Sequence, residues 1–328
     1  MSNKSIFITG GAGYVGSKLV PFLLNNNYNV TVLDLMIYGE NILNEHKNLK
    51  IIKGDIRNEN LLRSCIPGHD AVIHLACISN DPSFELNPLL GKSINLDPFE
   101  PLVKISKQHG VKKFIYASSS SVYGIKEGKD VHEEMSLEPL TDYSKFKAEC
   151  EKILNDYMSP DFITCTIRPA TVCGYAPRQR LDVVVNILTN FAYHKNKIQV
   201  FGGNQLRPNI HIDDMVQSYI SVLEANPNLI NGQIFNVGYE NQTVNDIAGS
   251  VRDVIGNHVI IENVKTDDNR SYHVSSKKIF KVLNFKANKN IADAALDLKH
   301  AFDNKLLTNT FDNEMYFNIK RMQSINLK

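Results

Sequence analysis

The chain has 328 residues, 43% hydrophobic content and a formal net charge of +1. That length suits one large α/β domain with a smaller appendage, and the dispersed basic residues argue against a nucleic-acid or membrane surface. The five cysteines, Cys65, Cys77, Cys150, Cys165 and Cys173, are scattered with no metal-ligand spacing. They read as reduced thiols of a cytoplasmic protein with no metal site. No apolar run approaches the ~20 residues that span a bilayer, and the N-terminus lacks the pattern of a signal peptide.

In chain order, Ser5 to Thr9 is an apolar strand, Gly10 to Gly16 a glycine-rich turn, and Ser17 to Asn25 a helix. Strand, glycine turn and helix form the context of a dinucleotide-binding loop. Gly10 permits the tight turn, and Gly13 lets a pyrophosphate approach backbone N–H groups at the helix start. Tyr14 and Val15 complete the loop, and Gly16 allows close helix–strand packing. The next strand ends in Asp34, placed to bind adenosine ribose hydroxyls and to repel a 2′-phosphate, which favours NAD over NADP. A third strand leads to Asp55 and Ile56, beside the expected adenine. A fourth strand ends in Leu75 and Ala76, a cofactor-lined strand end, with His74 read as a core histidine. Asn95 opens the following helix, and a fifth strand from Lys113 feeds the run Ser118 to Ser121.

The helix from Asp142 to Met158 carries Tyr143 and Lys147, four apart and therefore one above the other on one face. An ammonium beside a phenol favours the phenolate and lowers its pKa, which makes the tyrosine a base for an alcohol proton. Strands alternating with helices predict a Rossmann-like, doubly wound parallel sheet. The predicted division is an NAD-binding domain over 1–175, with 207–240 returning to it, and a smaller C-terminal substrate-binding part over 176–206 and 241–328. Arg178 and Arg180 fall in a polar segment at that junction, and the stretch after Asn284 reads as a loosely ordered, solvated tail.

Taken together, the segments 9–16, Asp34, His74 to Ala76, Ser118 to Gly124, Tyr143 with Lys147, and Arg168-Pro169 resemble the NAD-dependent nucleotide-sugar epimerases and dehydratases of the extended short-chain dehydrogenase/reductase family. Gly202 to Arg207, Ile210 to Asp214, Asn236 to Gly238 and Arg270 to Tyr272 continue the resemblance. It implies that Tyr143 is the base, that Lys147 tunes it and binds the nicotinamide ribose, and that Ser119 holds the reacting sugar oxygen. It implies Ser79, Ser120, Ser121, Arg178, Arg207 and Arg270 as substrate-binding residues and a homodimer as the assembly. The shared first step is oxidation of the sugar at C4. The 4,6-dehydratases of this family carry an acidic pair where this chain has Ser120-Ser121, so dehydration is not expected. Ser79 to Asp81 and Cys173 to Arg178 depart from galactose-type epimerases and are similar to bacterial C4-dehydrogenases of GDP-linked heptoses in capsule synthesis. A C4-dehydrogenase is thus the first expectation, with 4-epimerase, 4-ketosugar reductase and a non-catalytic NAD sensor as alternatives.

Overall fold

A computed structural model describes residues 4–126, 130–266, 271 and 273–328. Its strands are β1 (Ser5–Thr9), β2 (Asn29–Asp34), β3 (Leu49–Lys53), β4 (Ala71–His74), β5 (Lys113–Ala117) and β6 (Ile163–Pro169). There follow β7 (Thr171–Cys173), β8 (Lys197–Phe201), β9 (Leu206–His211), β10 (Gln233–Val237), β11 (Glu240–Thr243) and β12 (Ile260–Val264). Seven strands pair in the order β10-β6-β5-β4-β1-β2-β3, and every pairing is parallel. This is the doubly wound Rossmann-like order extended by one strand, with its reversal between β1 and β4.

The apolar runs of these strands are long because both faces of the sheet are covered. Alternate side chains go to opposite sides. Ile6 and Ile8 join the core on one face, together with Ile73 and Ile115. Phe7, Val72, Phe114 and Tyr116 join the core on the other. His74 is in this interior, its Nδ1 2.6 Å from Thr9 Oγ1 and its ring stacked on Tyr116. Burial, helped by the charge of Lys147, holds its pKa down at about 3.

A smaller layer is built from β8 paired with β12 and the helices Val184–Lys195, Val244–Ile255 and Ile291–Asp303, around Val185, Ile198, Ile247 and Ala294. Strands β7, β9 and β11 form a three-stranded bridge between the two parts.

Three expectations need correction. The segment after Asn284 is not a loose tail: Ile291, Leu298 and Phe302 of the helix Ile291–Asp303 are buried, and the helix Asn318–Ser324 buries Asn318 and Met322. The Asn/Lys-rich composition misled because the apolar residues are sparse but spaced for one helical face. Second, 241–328 does not all belong to the smaller part, since Val274, Ile279, Phe285 and Ala287 pack into the core of the large sheet. Third, Asn95 closes the helix Pro88–Asn95 rather than opening the next one. Its amide instead clamps the Ile78 backbone, accepting from its N–H at 2.8 Å and donating to its C=O at 2.9 Å.

Candidate active site

The carboxyl ends of β1, β4, β5 and β6 open into one cleft of about 440 Å³. That volume suits a sizeable organic ligand. The glycine turn forms its floor. Gly10 has φ +72°, and a Cβ there would come within 2.5 Å of the Ala76 backbone N. The turn can therefore lie against the end of β4 only with glycine at this position. The helix Gly16–Asn25 starts without a side-chain cap or an acidic residue in its first turn. An uncapped, dipole-positive helix start behind a bare glycine fits a dinucleotide diphosphate.

Asp34 ends β2. Its carboxylate accepts from the N–H of Ala12 at 3.0 Å and from that of Met36 at 2.8 Å. Burial raises its pKa, and these two N–H groups oppose the rise. Asp34 thus ties the glycine turn to the loop after β2. Tyr14 donates its hydroxyl to Gly174 C=O at 2.6 Å and accepts from Asn186 at 3.0 Å, so it crosses into the smaller part. Val15 and Leu75 line the cleft. Asp55 closes on Arg57, with a 2.6 Å ion pair. Ile56 is buried in the core beneath. Neither of these two reaches the cleft lining.

At the other end, the serine run follows β5. Ser119 Oγ caps the turn by accepting from the Ser121 N–H at 3.1 Å and lies 2.8 Å from Ser121 Oγ. Tyr143 sits on the first turn of the helix Asp142–Asp156, whose start is fixed by a capping box of Thr141 and Ser144. Lys147 Nζ donates to Ala117 C=O at 2.6 Å and lies 5.8 Å from the centre of the Tyr143 ring. Ser119, Ser120, Ser121, Tyr143 and Lys147 all face the cleft.

The predicted lowering of the Tyr143 pKa is overturned for the chain alone. Burial pushes the phenol up, with Cys77 and Asp81 adding to the rise, while a hydrogen bond from Ser119 and the charge of Arg180 oppose it. Removing a phenolate from water costs more than these partners return.

Behind the serine run lies a buried network that the sequence reading missed. Ser118 Oγ donates to Glu151, which pairs with Arg168 at 2.6 Å. Arg168 donates to Tyr123 Oη at 2.7 Å, and Tyr123 donates to Asn236 Oδ1 at 2.7 Å. Burial opposes the Arg168 charge, but Glu151 outweighs it and holds the pKa above its ordinary value. The network ties the serine run to β6 and β10.

The remaining wall comes from distant segments. Arg178 and Arg180 both line it. Arg180 pairs with Asp182 at 2.8 Å and donates to Ser79 Oγ at 3.2 Å. Asn318 donates its amide to Ser79 Oγ at 2.9 Å and its backbone N–H to Asp182 at 2.9 Å. Arg207 enters from β9, donating to Leu206 C=O at 3.0 Å. Arg270 lies outside the described residues. Tyr38, Cys77, Asp81, Arg180, Asp182 and Asn318 were not predicted as site residues, though all face the cleft. Two of these left a signal: the Arg180-x-Asp182 pair, a charged pair heading an apolar helix, and Asp81, which ends the departing segment Ser79 to Asp81. His211, Asp213 and Asp297 also converge, but Lys18 and Lys289 pair with Asp213 at 2.9 and 2.6 Å, so this is an ion-pair network.

The pattern of the NAD dependent epimerase/dehydratase family matches residues 6–238. The chain belongs to that family. It is 34% identical, over 76% of its length and 82% of the relative's, to an uncharacterized UDP-glucose epimerase, YtcB, of Bacillus subtilis (strain 168). It is 27% identical to a UDP-glucose 4-epimerase of Lactobacillus helveticus, over 71% of this chain and 76% of that one. Among solved structures, a dTDP-glucose 4,6-dehydratase from Streptomyces venezuelae with NAD bound superposes with a TM-score of 0.82 at 22% identity, over 92% of this chain and 98% of that one. As a member of the epimerase/dehydratase family the chain is an NAD-dependent enzyme, and the glycine turn and the uncapped helix start, which line the cleft, fit that cofactor.

Proposed function

We propose that this enzyme oxidises C4 of a nucleotide-diphosphate sugar and returns the hydride to the other face, as a nucleotide-sugar 4-epimerase. The observation that carries the reading is the convergence of the Ser119 and Tyr143 hydroxyls in the cleft that also holds the glycine turn. Tyr143 takes the C4 hydroxyl proton, and Ser119 holds that oxygen in place. Lys147, anchored on Ala117 C=O, keeps a positive charge beside the phenol. NAD bound here supplies the hydride acceptor, and its oxidised ring adds a second positive charge that favours the phenolate.

Dehydration requires an acid free to act on the sugar. Ser120 and Ser121 supply none, and the acids lining the cleft among the described residues are engaged: Asp81 accepts from Thr141 at 2.5 Å and Asp182 pairs with Arg180. The two curated relatives named above as epimerases support return of the hydride.

A second reading is release of the ketone, as a C4-dehydrogenase of a GDP-linked heptose. The departures at Ser79 to Asp81 favour it, because these residues line the cleft and would meet the sugar. Product mass separates the readings when the protein is incubated with NAD and a panel of UDP-, dTDP- and GDP-sugars, GDP-heptose included. Unchanged mass with altered chromatography is the expected epimerase result. Loss of two hydrogens means the dehydrogenase, and loss of water sinks the assignment of the serine pair.

A further inference from the structure

Arg178 sits where the helix behind the glycine turn, the loop after β2 and the helix Asn318–Ser324 meet. Its backbone N–H donates to Ser17 Oγ at 3.2 Å. Its guanidinium carbon lies 3.5 Å above the centre of the Tyr38 ring, four residues past Asp34. Nη2 donates to Asn318 Oδ1 at 2.6 Å, and the same oxygen accepts from the Tyr38 hydroxyl at 2.8 Å. Both lone pairs of that oxygen are then used, which fixes the amide and, through it, the guanidinium.

Two features of this arrangement call for a ligand. Arg178 is 3% exposed, yet among the described residues it forms no salt bridge with a carboxylate. Its Nε–H is buried without any partner, in a side chain that lines the cleft. Burial accordingly draws its pKa down to about 10. A buried cation with an unused donor is costly unless an anion completes it. A planar fork with a free edge suits phosphate oxygens.

We propose that Arg178 is a ligand of the cofactor's diphosphate, held from behind by Asn318, so that the C-terminal helix closes the NAD site opposite the glycine turn. The neighbours select the cofactor over the sugar nucleotide. Ser17, Tyr38 and Asp34 all belong to the glycine-turn side, whereas Arg180 bonds Ser79 and Arg207 lies on β9. Arg178 therefore moves from the expected substrate set to the cofactor set. The inference rests on NAD as cofactor and is independent of which sugar is turned over.

The test is calorimetric titration of the full chain, stripped of nucleotide, with NAD, ADP-ribose, adenosine and UDP-glucose in turn. Arg178→Gln is expected to weaken NAD and ADP-ribose by roughly ten- to a hundredfold and adenosine by about threefold or less. Asn318→Ala, which frees the guanidinium, is expected to weaken NAD by about three- to tenfold. UDP-glucose binding should stay as in the parent in Arg178→Gln. Unchanged NAD affinity in Arg178→Gln overturns the proposal, as does a loss confined to UDP-glucose. If Arg178→Gln fails to fold, Arg178→Lys decides: it keeps the charge but loses the fork, and parent-like NAD affinity in both Arg178→Lys and Asn318→Ala sinks the idea. Failure of the parent to bind NAD would instead strike at the cofactor assignment itself.

Discussion

The two walls of the cleft are built in different ways. The wall formed by the glycine turn, the serine run and the Tyr143 helix comes from short motifs at the ends of adjacent parallel strands. The wall formed by Tyr38, Arg178, Arg180, Asp182 and Asn318 gathers side chains as far apart as 280 residues through direct hydrogen bonds. The first wall is placed by backbone: strand ends, helix starts and a capping box. The second is placed by side chains holding one another. A substitution in the first wall should therefore act on chemistry or on the fold, and one in the second on binding.

Tyr143→Phe tests the first wall most directly. It should lower kcat by roughly 10²- to 10⁴-fold with NAD affinity unchanged, because a positioned proton acceptor contributes about that much. Steady-state kinetics with the sugar identified by mass spectrometry reads the effect, and retained turnover would remove Tyr143 from the reaction.

Arg168→Leu leaves Glu151 buried without its counter-charge behind the serine run. Breaking such a pair costs about 3–5 kcal/mol. Urea unfolding should show that loss in the midpoint, together with reduced turnover as the run carrying Ser119 loosens.

The same interior gives a pH dependence. His74 binds a proton at about pH 6.5 when unfolded and only at about 3 when folded. Between those values the unfolded chain holds more protons. The contribution is fully present above pH 6.5 and is lost as pH falls, at up to about 1.4 kcal/mol per pH unit. His74→Asn should flatten the acid limb of a melting-temperature profile, and an unaltered limb would assign acid sensitivity elsewhere.

In the second wall, Asp182→Asn keeps an acceptor but removes the charge facing Arg180. We expect a cost of about 1–3 kcal/mol, seen mainly as a raised sugar KM with kcat near parental. A fall in kcat equal to that of Tyr143→Phe would erase the distinction between the walls. The smallest effect expected is back in the first wall, from Ser121→Ala, which removes one hydroxyl from Ser119 for about 0.5–1.5 kcal/mol, readable in kcat.

The legibility of each part follows from how it is built. Gly10, Gly13, Asp34, Tyr143 and Lys147 could be picked out because a glycine-dependent turn, a strand end and an i, i+4 pair are local in sequence. Asn318 carried no such signal. An asparagine in a polar, lysine-rich stretch is unremarkable until its helix docks beside Tyr38 and Ser79. The expected shift of Tyr143 failed for a related reason: the Lys147 spacing is visible in sequence, but the burial that raises the phenol is not.

The sequence by itself determined the parallel sheet, its order of helices and strands, and the motifs at the strand ends, since these depend on periodicity and on residues near one another along the chain. Tertiary structure alone decided the Arg168 network, the Arg178–Asn318 clamp and the burial of the Tyr143 phenol. These depend on which polar groups are removed from water together, and that is settled only when distant segments pack.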